Sequence, residues 1–221
     1  MLLVELRQVE YLATLNLQYR IVERKIRWSG PDVLLLLEHP HTITLGTRGK
    51  HAHVLASAEC LLERGIALHS VDRGGEATYH GPGQLVAYPI MDLRRLGVSV
   101  REYVRALEET ILGTLRSFGI QGFRQHGKVG IWTGINDKIA SIGVRIRKRV
   151  TYHGFSLNVD LELDPAELVV SCGMPSVHMV SLNQVTPTTA SMASVRHAVA
   201  GSFSAVFGVD LQTCSAEDAC S

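Results

Sequence analysis

Cys172, in "VVSCGMPS", and Lys138, in "NDKIASIG", are the two side chains of this sequence best suited to group-transfer chemistry. The glycine after Cys172 lets the backbone turn sharply and present the sulfur. An isolated cysteine is ordinarily a buried, inert thiol, and it becomes a nucleophile only where a base or cation holds the thiolate. Lys138 opens a stretch of apolar and small residues (Ile139, Ala140, Ile142, Val144), which places its ammonium at the edge of a core. Burial there favours the neutral amine, the form that acts as a general base. A snorkelling lysine at a strand end is the plainer reading, and spacing alone does not bring Lys138 to Cys172.

A third candidate is "RGGEATYHGPGQ", Arg73 to Gln84, with four glycines and one proline around a Thr-Tyr-His triplet. Glycines between two strands suit a backbone that approaches a ligand closely and turns amide N–H groups toward it. The pattern is neither GxxxxGK[ST] nor GxGxxG, so neither usual phosphate cradle applies. The plainer reading is a turn in which Tyr79 and His80 pack for stability. His39 with His41, and His51 with His53, make two HxH pairs near Cys60. No carboxylate or CxxC completes a ligand set, so no metal is expected. No GxSxG elbow supports a serine triad.

The elements that must position these residues show in the apolar periodicity. Val9, Leu12, Leu15, Tyr19, Val22 and Ile26 recur at helical spacing, which predicts a helix to about Arg27. "VLLLLEH" is a continuous apolar run, as expected of a strand buried on both faces. "TITLG", "IALHSV" and "QLVAYPI" read as strands, and "SAECLLERG" as a short helix closed by Gly65. The stretch Ser99 to Phe118 carries a capping box, Ser99 with Glu102, and one apolar stripe, with Gly119 beyond it. "VGIWTG", "KIASIGVRI" and "VTYHGFSLNV" are β-rich, with "RKR" at a hairpin tip, and Met192 to Val206 suggests a last helix. The expected class is α+β, a mixed sheet with helices packed on one face, in a single domain over 1–221. The regular βαβ alternation of a doubly wound nucleotide fold is absent.

With 46% hydrophobic and 19% charged residues, the chain can bury a sizeable core. Its 22 Lys and Arg against 21 Asp and Glu exclude the basic excess of a nucleic-acid binder. The longest apolar run, Val33 to Leu37, is far short of the roughly 20 residues that span a bilayer. "MLLVELRQVE" lacks the basic region and apolar core of an export signal. The expected setting is the cytoplasm, with Cys60, Cys214 and Cys220 as incidental thiols.

Together, "EHPHTITLG", "RGGEATYHGPGQLVAYPI", "GIW…KIASIGVRI", "HGFSLNV" and "SCGMPSVHMVSL" resemble the lipoyl(octanoyl) transferases, in the family's order from about Glu38 to Leu182. The resemblance implies a fold related to lipoate ligases, biotin protein ligases and class II aminoacyl-tRNA synthetase catalytic domains. It implies transfer of an octanoyl group from octanoyl-acyl carrier protein to a lysine of lipoyl domains, the first step of endogenous lipoate synthesis. The acceptors would be lipoyl domains of 2-oxoacid dehydrogenase complexes and the glycine cleavage H protein. By the same resemblance Cys172 is the acyl-accepting nucleophile of a ping-pong reaction and Lys138 the partner that tunes it. Substrate contacts would come from Arg73, Gly74, Gly75, Glu76, Ala77, Thr78, Tyr79 and His80, from Ser141, Ile142 and Gly143, and from Gly154, Phe155 and Ser156. Ser171 stands where the family usually has proline, which loosens the backbone beside Cys172, and "HPH" stands where a second proline is common.

Thioester exchange followed by aminolysis requires no ATP, cofactor or metal. Ile139, Ile142 and Leu85 would help line a slot for the acyl chain, and "RIRKR" (Arg145 to Arg149) would attract an acidic carrier or lipoyl domain. No nucleic-acid or membrane partner is expected, and the expected state is a monomer. Two other readings remain: an ATP-dependent lipoate or biotin ligase, which needs a nucleotide site, and a non-catalytic protein that binds lipoyl or acyl carrier domains.

Overall fold

The computed structural model describes residues 1–170, 177–186 and 189–220. The chain begins with a strand–helix–strand unit: β1 (Leu2–Gln8), α1 (Tyr11–Trp28) and β2 (Val33–Glu38), with β1 and β2 parallel. α1 lies where the periodicity places it and stops at Ser29, whose left-handed backbone (φ 54°) turns its N–H back to Lys25. The sequence did not announce β1, which makes the start of the chain a strand–helix–strand unit. Val33 to Leu37 are fully buried, as a continuous apolar run in a central strand demands.

Three strands, β3 (Thr42–Leu45), β4 (Ala67–Ser70) and β5 (Ala77–His80), form a small second sheet with α2 (Ala58–Glu63) between β3 and β4. β3 is central, parallel to β4 and antiparallel to β5. β5 occupies the middle of the glycine-rich stretch, so that stretch is a short strand between two loops.

Next come β6 (Gln84–Ile90), α3 (Leu93–Leu96), α4 (Val100–Ser117), β7 (Phe123–Gln125), β8 (Lys128–Trp132), β9 (Asp137–Arg147) and β10 (Val150–Asn158). The capping box of α4 is complete, Ser99 N–H to Glu102 at 2.7 Å and Glu102 N–H to Ser99 Oγ at 3.2 Å. Lys148 and Arg149 take positive φ (47° and 74°) at the tip joining β9 to β10. The chain closes with β11 (His178–Met179), α5 (Leu182–Val185), α6 (Met192–Phe207), β12 (Gln212–Thr213) and α7 (Ala216–Cys220). Among the described residues the large sheet runs β12-β1-β2-β6-β10-β9-β8-β7, with β11 also paired to β9.

The α+β class and the mixed sheet stand, but the helices cover both faces of the sheet instead of one. Leu34, Leu36, Ala87 and Leu157 pack under α4 (Tyr103, Leu107, Ile111) and α6 (Val195, Val199, Phe203). Val33, Leu35, Leu37, Val86 and Tyr88 pack under α1 (Leu17, Ile21, Val22), with Ala219 of α7. Strands that are apolar at every position expose two oily faces, and each face requires its own cover. The small sheet adds a third cluster, in which Ile43, Ala77 and Tyr79 meet Leu61, Ile66, Leu161 and Val169. Among the described residues no helix is long and apolar enough to cross a membrane.

Candidate active site

β9 and β10 bring together two stretches that lie well apart in the sequence. In their antiparallel register Ser141 faces Ser156, Ile142 faces Phe155 and Gly143 faces Gly154. These six residues form one wall of a narrow cleft of about 40 Å³, partly open to solvent. The Gly143–Gly154 pair leaves that wall without side chains at one end. A Cβ on Gly154 would stand 2.1 Å from the Ala87 carbonyl oxygen, and one on Gly143 would stand 2.8 Å from that of Gly74.

The opposite wall comes from the glycine-rich stretch, through Arg73, Gly75, Glu76, Thr78 and His80. The two-residue period of β5 explains the selection: Thr78 and His80 face the cleft, while Ala77 and Tyr79 turn into the small-sheet core. Tyr79 instead meets His41, hydroxyl to Nδ1, at 2.5 Å. Gly74 bonds its N–H to Val144 O at 3.0 Å and presses the loop onto β9. Arg73, 6% exposed, clamps this loop from within. Its guanidinium donates to Thr44 O at 2.8 Å, Thr44 Oγ1 at 2.9 and 3.1 Å, Glu76 O at 2.8 Å and Gly74 O at 3.1 Å.

Lys138 is buried, with its Nζ 5.5 Å from the centre of the Trp132 ring, and does not line this cleft. A Cβ on Gly130 (φ 122°) would meet Lys138 Cε at 2.7 Å, so glycine is required where β8 passes the lysine. Cys172 lies outside the described residues, as do Ser171 and the four residues after the cysteine. On the near side Val170 bonds its N–H to His53 O at 2.8 Å. On the far side β11 pairs with β9, Met179 beside Lys138.

The family model described as "Lipoyl protein ligase A/B catalytic domain" matches residues 10–204. A protein of Syntrophobacter fumaroxidans named "Octanoyltransferase" is 41% identical over 95% of this chain and 92% of its own length. The chain belongs to the octanoyltransferase family. Its fold is shared more widely. A bi-partite lipoate protein ligase of Thermoplasma acidophilum superposes with a TM-score of 0.77 at 18% identity, over 99% of this chain and 89% of that one. A biotin protein ligase of Aquifex aeolicus superposes with a TM-score of 0.55 at 12% identity, over 94% and 70%. At those identities the likeness shows the fold alone.

In this octanoyltransferase-family chain the cleft has lining residues that the sequence reading missed: Tyr11, Val86, Tyr88 and His153. Leu85 and Ile139, expected beside the acyl chain, pack into the α4–α6 core instead. Strand alternation points Val86 and Tyr88 the other way. The one available signal was position, since His153 directly precedes Gly154 and Tyr11 opens α1.

Buried polar groups occupy this floor. His39 donates Nδ1–H to Val9 O at 2.6 Å and accepts the Tyr88 hydroxyl at Nε2 at 2.8 Å. Burial pushes its pKa down to about 4. His153 has a left-handed backbone (φ 54°), and its own N–H is held by Gln18 Oε1 at 2.7 Å. Its Nε2 lies 3.0 Å from Asp72 Oδ1, and Nδ1 lies 3.4 Å from the Tyr11 hydroxyl. Tyr152 donates its hydroxyl to the other Asp72 oxygen. The His153 bond holds the Asp72 pKa down at about 2, while burial lowers that of His153 and raises that of Tyr11 to about 12. These partners commit His39 and His153 to structure. Among the described residues no three His, Cys, Asp or Glu side chains are grouped to hold a metal ion.

Proposed function

We propose that the protein transfers an octanoyl group from octanoyl-acyl carrier protein to a lysine of lipoyl domains, through a thioester on Cys172. The observation that carries this reading is the cleft wall in which Ser141–Gly143 and Gly154–Ser156 meet in register, within a chain of the octanoyltransferase family. A wall of small residues, Ser141, Gly143, Gly154 and Ser156, would accept an extended acyl chain. From Ser141 to Gly143 its backbone runs roughly 7 Å at about 3.4 Å per residue.

In the first half-reaction the Cys172 thiolate attacks the donor thioester. The new C–S bond replaces the old one, and the departing carrier thiolate takes up the proton that Cys172 gave to Lys138. In the second, the acceptor lysine amine attacks the acyl-cysteine, the C–S bond breaks, and the proton shed by the nitrogen ends on the Cys172 thiolate. Backbone N–H groups of the glycine loops would hold the oxyanion, each typically contributing about 3 kcal/mol. The acceptors would be the lipoyl domains of 2-oxoacid dehydrogenase complexes and the glycine cleavage H protein. The exposed hairpin tip Lys148–Arg149 would draw in their acidic surfaces, while Arg147 is already paired with Glu23 at 2.6 Å. The whole chain would act as one catalytic domain in the cytoplasm.

Incubation with octanoyl-acyl carrier protein and no ATP should add one octanoyl mass to the protein, read by intact mass spectrometry. Cys172→Ser should leave no thioester. An adduct on another residue, or a requirement for ATP, would overturn the assignment.

A further inference from the structure

His80 differs from the neighbouring buried histidines His39 and His153 in having one ring nitrogen with nothing to bind. Its side chain is 6% exposed, it lines the cleft, and Nε2 is buried with no partner among the described residues. A chain of obligatory donors and acceptors dictates which nitrogen carries the proton. The Val180 carbonyl can only accept, so Asn158 turns Nδ2 toward it at 2.9 Å and leaves Oδ1 as an acceptor. Gln84 therefore points Nε2 at Asn158 Oδ1, at 2.9 Å, and the same nitrogen reaches the Tyr79 carbonyl at 3.2 Å. Gln84 Oε1 is left to accept from His80 Nδ1–H at 2.7 Å. His80 Nε2 is then left with a bare lone pair, buried on a side chain that lines the cleft.

The relay begins beside the proposed chemistry, since Val180 bonds its own N–H to the Lys138 carbonyl at 3.0 Å. An unpaired acceptor buried in a site costs roughly 1–3 kcal/mol, which a hydrogen-bond donor on the substrate would recover. An octanoyl chain carries no such donor. The acceptor amine does.

We propose that His80 Nε2 accepts the N–H of the incoming lysine amine and takes its proton as the amide forms. This rests on the acyl-cysteine reading of the proposed function. In that step the amine nitrogen bonds to the acyl carbon, and a proton leaves the nitrogen for His80 Nε2. The C–S bond then breaks, returning its electron pair to Cys172, and the proton passes on to the thiolate. Burial keeps the imidazole neutral before attack. The nitrogen of the tetrahedral adduct is far more acidic than a free ammonium, so a weak base suffices. His80 thus serves aminolysis, while Lys138 serves thiol exchange.

The test separates the half-reactions. His80→Asn keeps a donor for Gln84 and removes Nε2, while His80→Gln puts an acceptor near the lost nitrogen. Each enzyme is loaded from octanoyl-acyl carrier protein, then mixed with a lipoyl domain in a single turnover. The expected result for His80→Asn is that transfer slows about 100-fold more than acyl loading does, with His80→Gln partly restoring transfer. Equal slowing of both steps, or unchanged transfer, overturns the proposal. Loading of wild type on Cys172 in the same assay checks the underlying reading separately. Should His80→Asn not fold, nitrogen NMR of the wild-type imidazole decides. Nε2 must be unprotonated in the free enzyme and shift when a lipoyl domain is added to the acyl-enzyme, and a protonated Nε2 or no shift overturns it.

Discussion

His80 and His153 border the same cleft and are held to opposite effect. His80 is tied through Gln84 to Asn158 at the end of β10, and His153 lies five residues earlier on that strand. His153 has both ring nitrogens within reach of partners, Asp72 and the Tyr11 hydroxyl. His80 has one nitrogen bound and one bare. Burial alone therefore does not mark a functional histidine, because both are buried. A buried ring with every nitrogen paired contributes to folding. A buried ring with one nitrogen left over carries a cost that a ligand can remove.

If the paired histidines belong to folding, acidity should expose them first. The pKa of His39 is pushed from 6.5 to about 4 by burial, and those of His80 and His153 are lowered for the same first cause. Between those values the unfolded chain binds protons that the folded chain refuses. The stability is complete above about pH 6.5 and is lost as pH falls toward 4, on the order of 3 kcal/mol for His39 alone. Asp72, held near 2, adds its own loss only below about pH 4, so the two windows are separate. Urea unfolding at pH 7 and pH 4.5 measures the first window, and equal midpoints would break the account.

At the paired end, His153→Asn should cost about 2 kcal/mol at pH 7. It strips the bond to the Asp72 carboxylate but keeps a residue type that tolerates the left-handed backbone. A urea midpoint unchanged from wild type would remove the distinction between the two histidines. Tyr152→Phe, which deletes one of the two tyrosine donors to Asp72, should cost about 1 kcal/mol in the same measurement. A larger loss than His153→Asn would place the weight of the network on Tyr152.

Much of this architecture is legible before folding is considered. The α4 capping box, the buried run of β2 and the α1 stripe are local patterns, and local hydrogen bonding and periodicity are enough to place them. β1 was missed because seven residues of mixed polarity become a strand only beside β2. The helices were expected on one sheet face because periodicity marks a strand as doubly buried without saying what covers it. In the site, the chemistry-bearing stretches stood out by residue type. Tyr11, Tyr88 and His153 did not, because an isolated aromatic or histidine looks the same in a core as in a cleft.

The sequence by itself determined which residue types are available to the reaction: a cysteine before glycine, a lysine opening an apolar strand, and glycines where backbone must come close. Those follow from side-chain chemistry and from the freedom of a backbone without Cβ. Tertiary structure alone decided that Ser141–Gly143 would lie against Gly154–Ser156, and that β5 would turn His80 inward and Tyr79 away. It also decided which histidine keeps a bare nitrogen. Strand register sets each of these, and register depends on pairing partners far away in the chain.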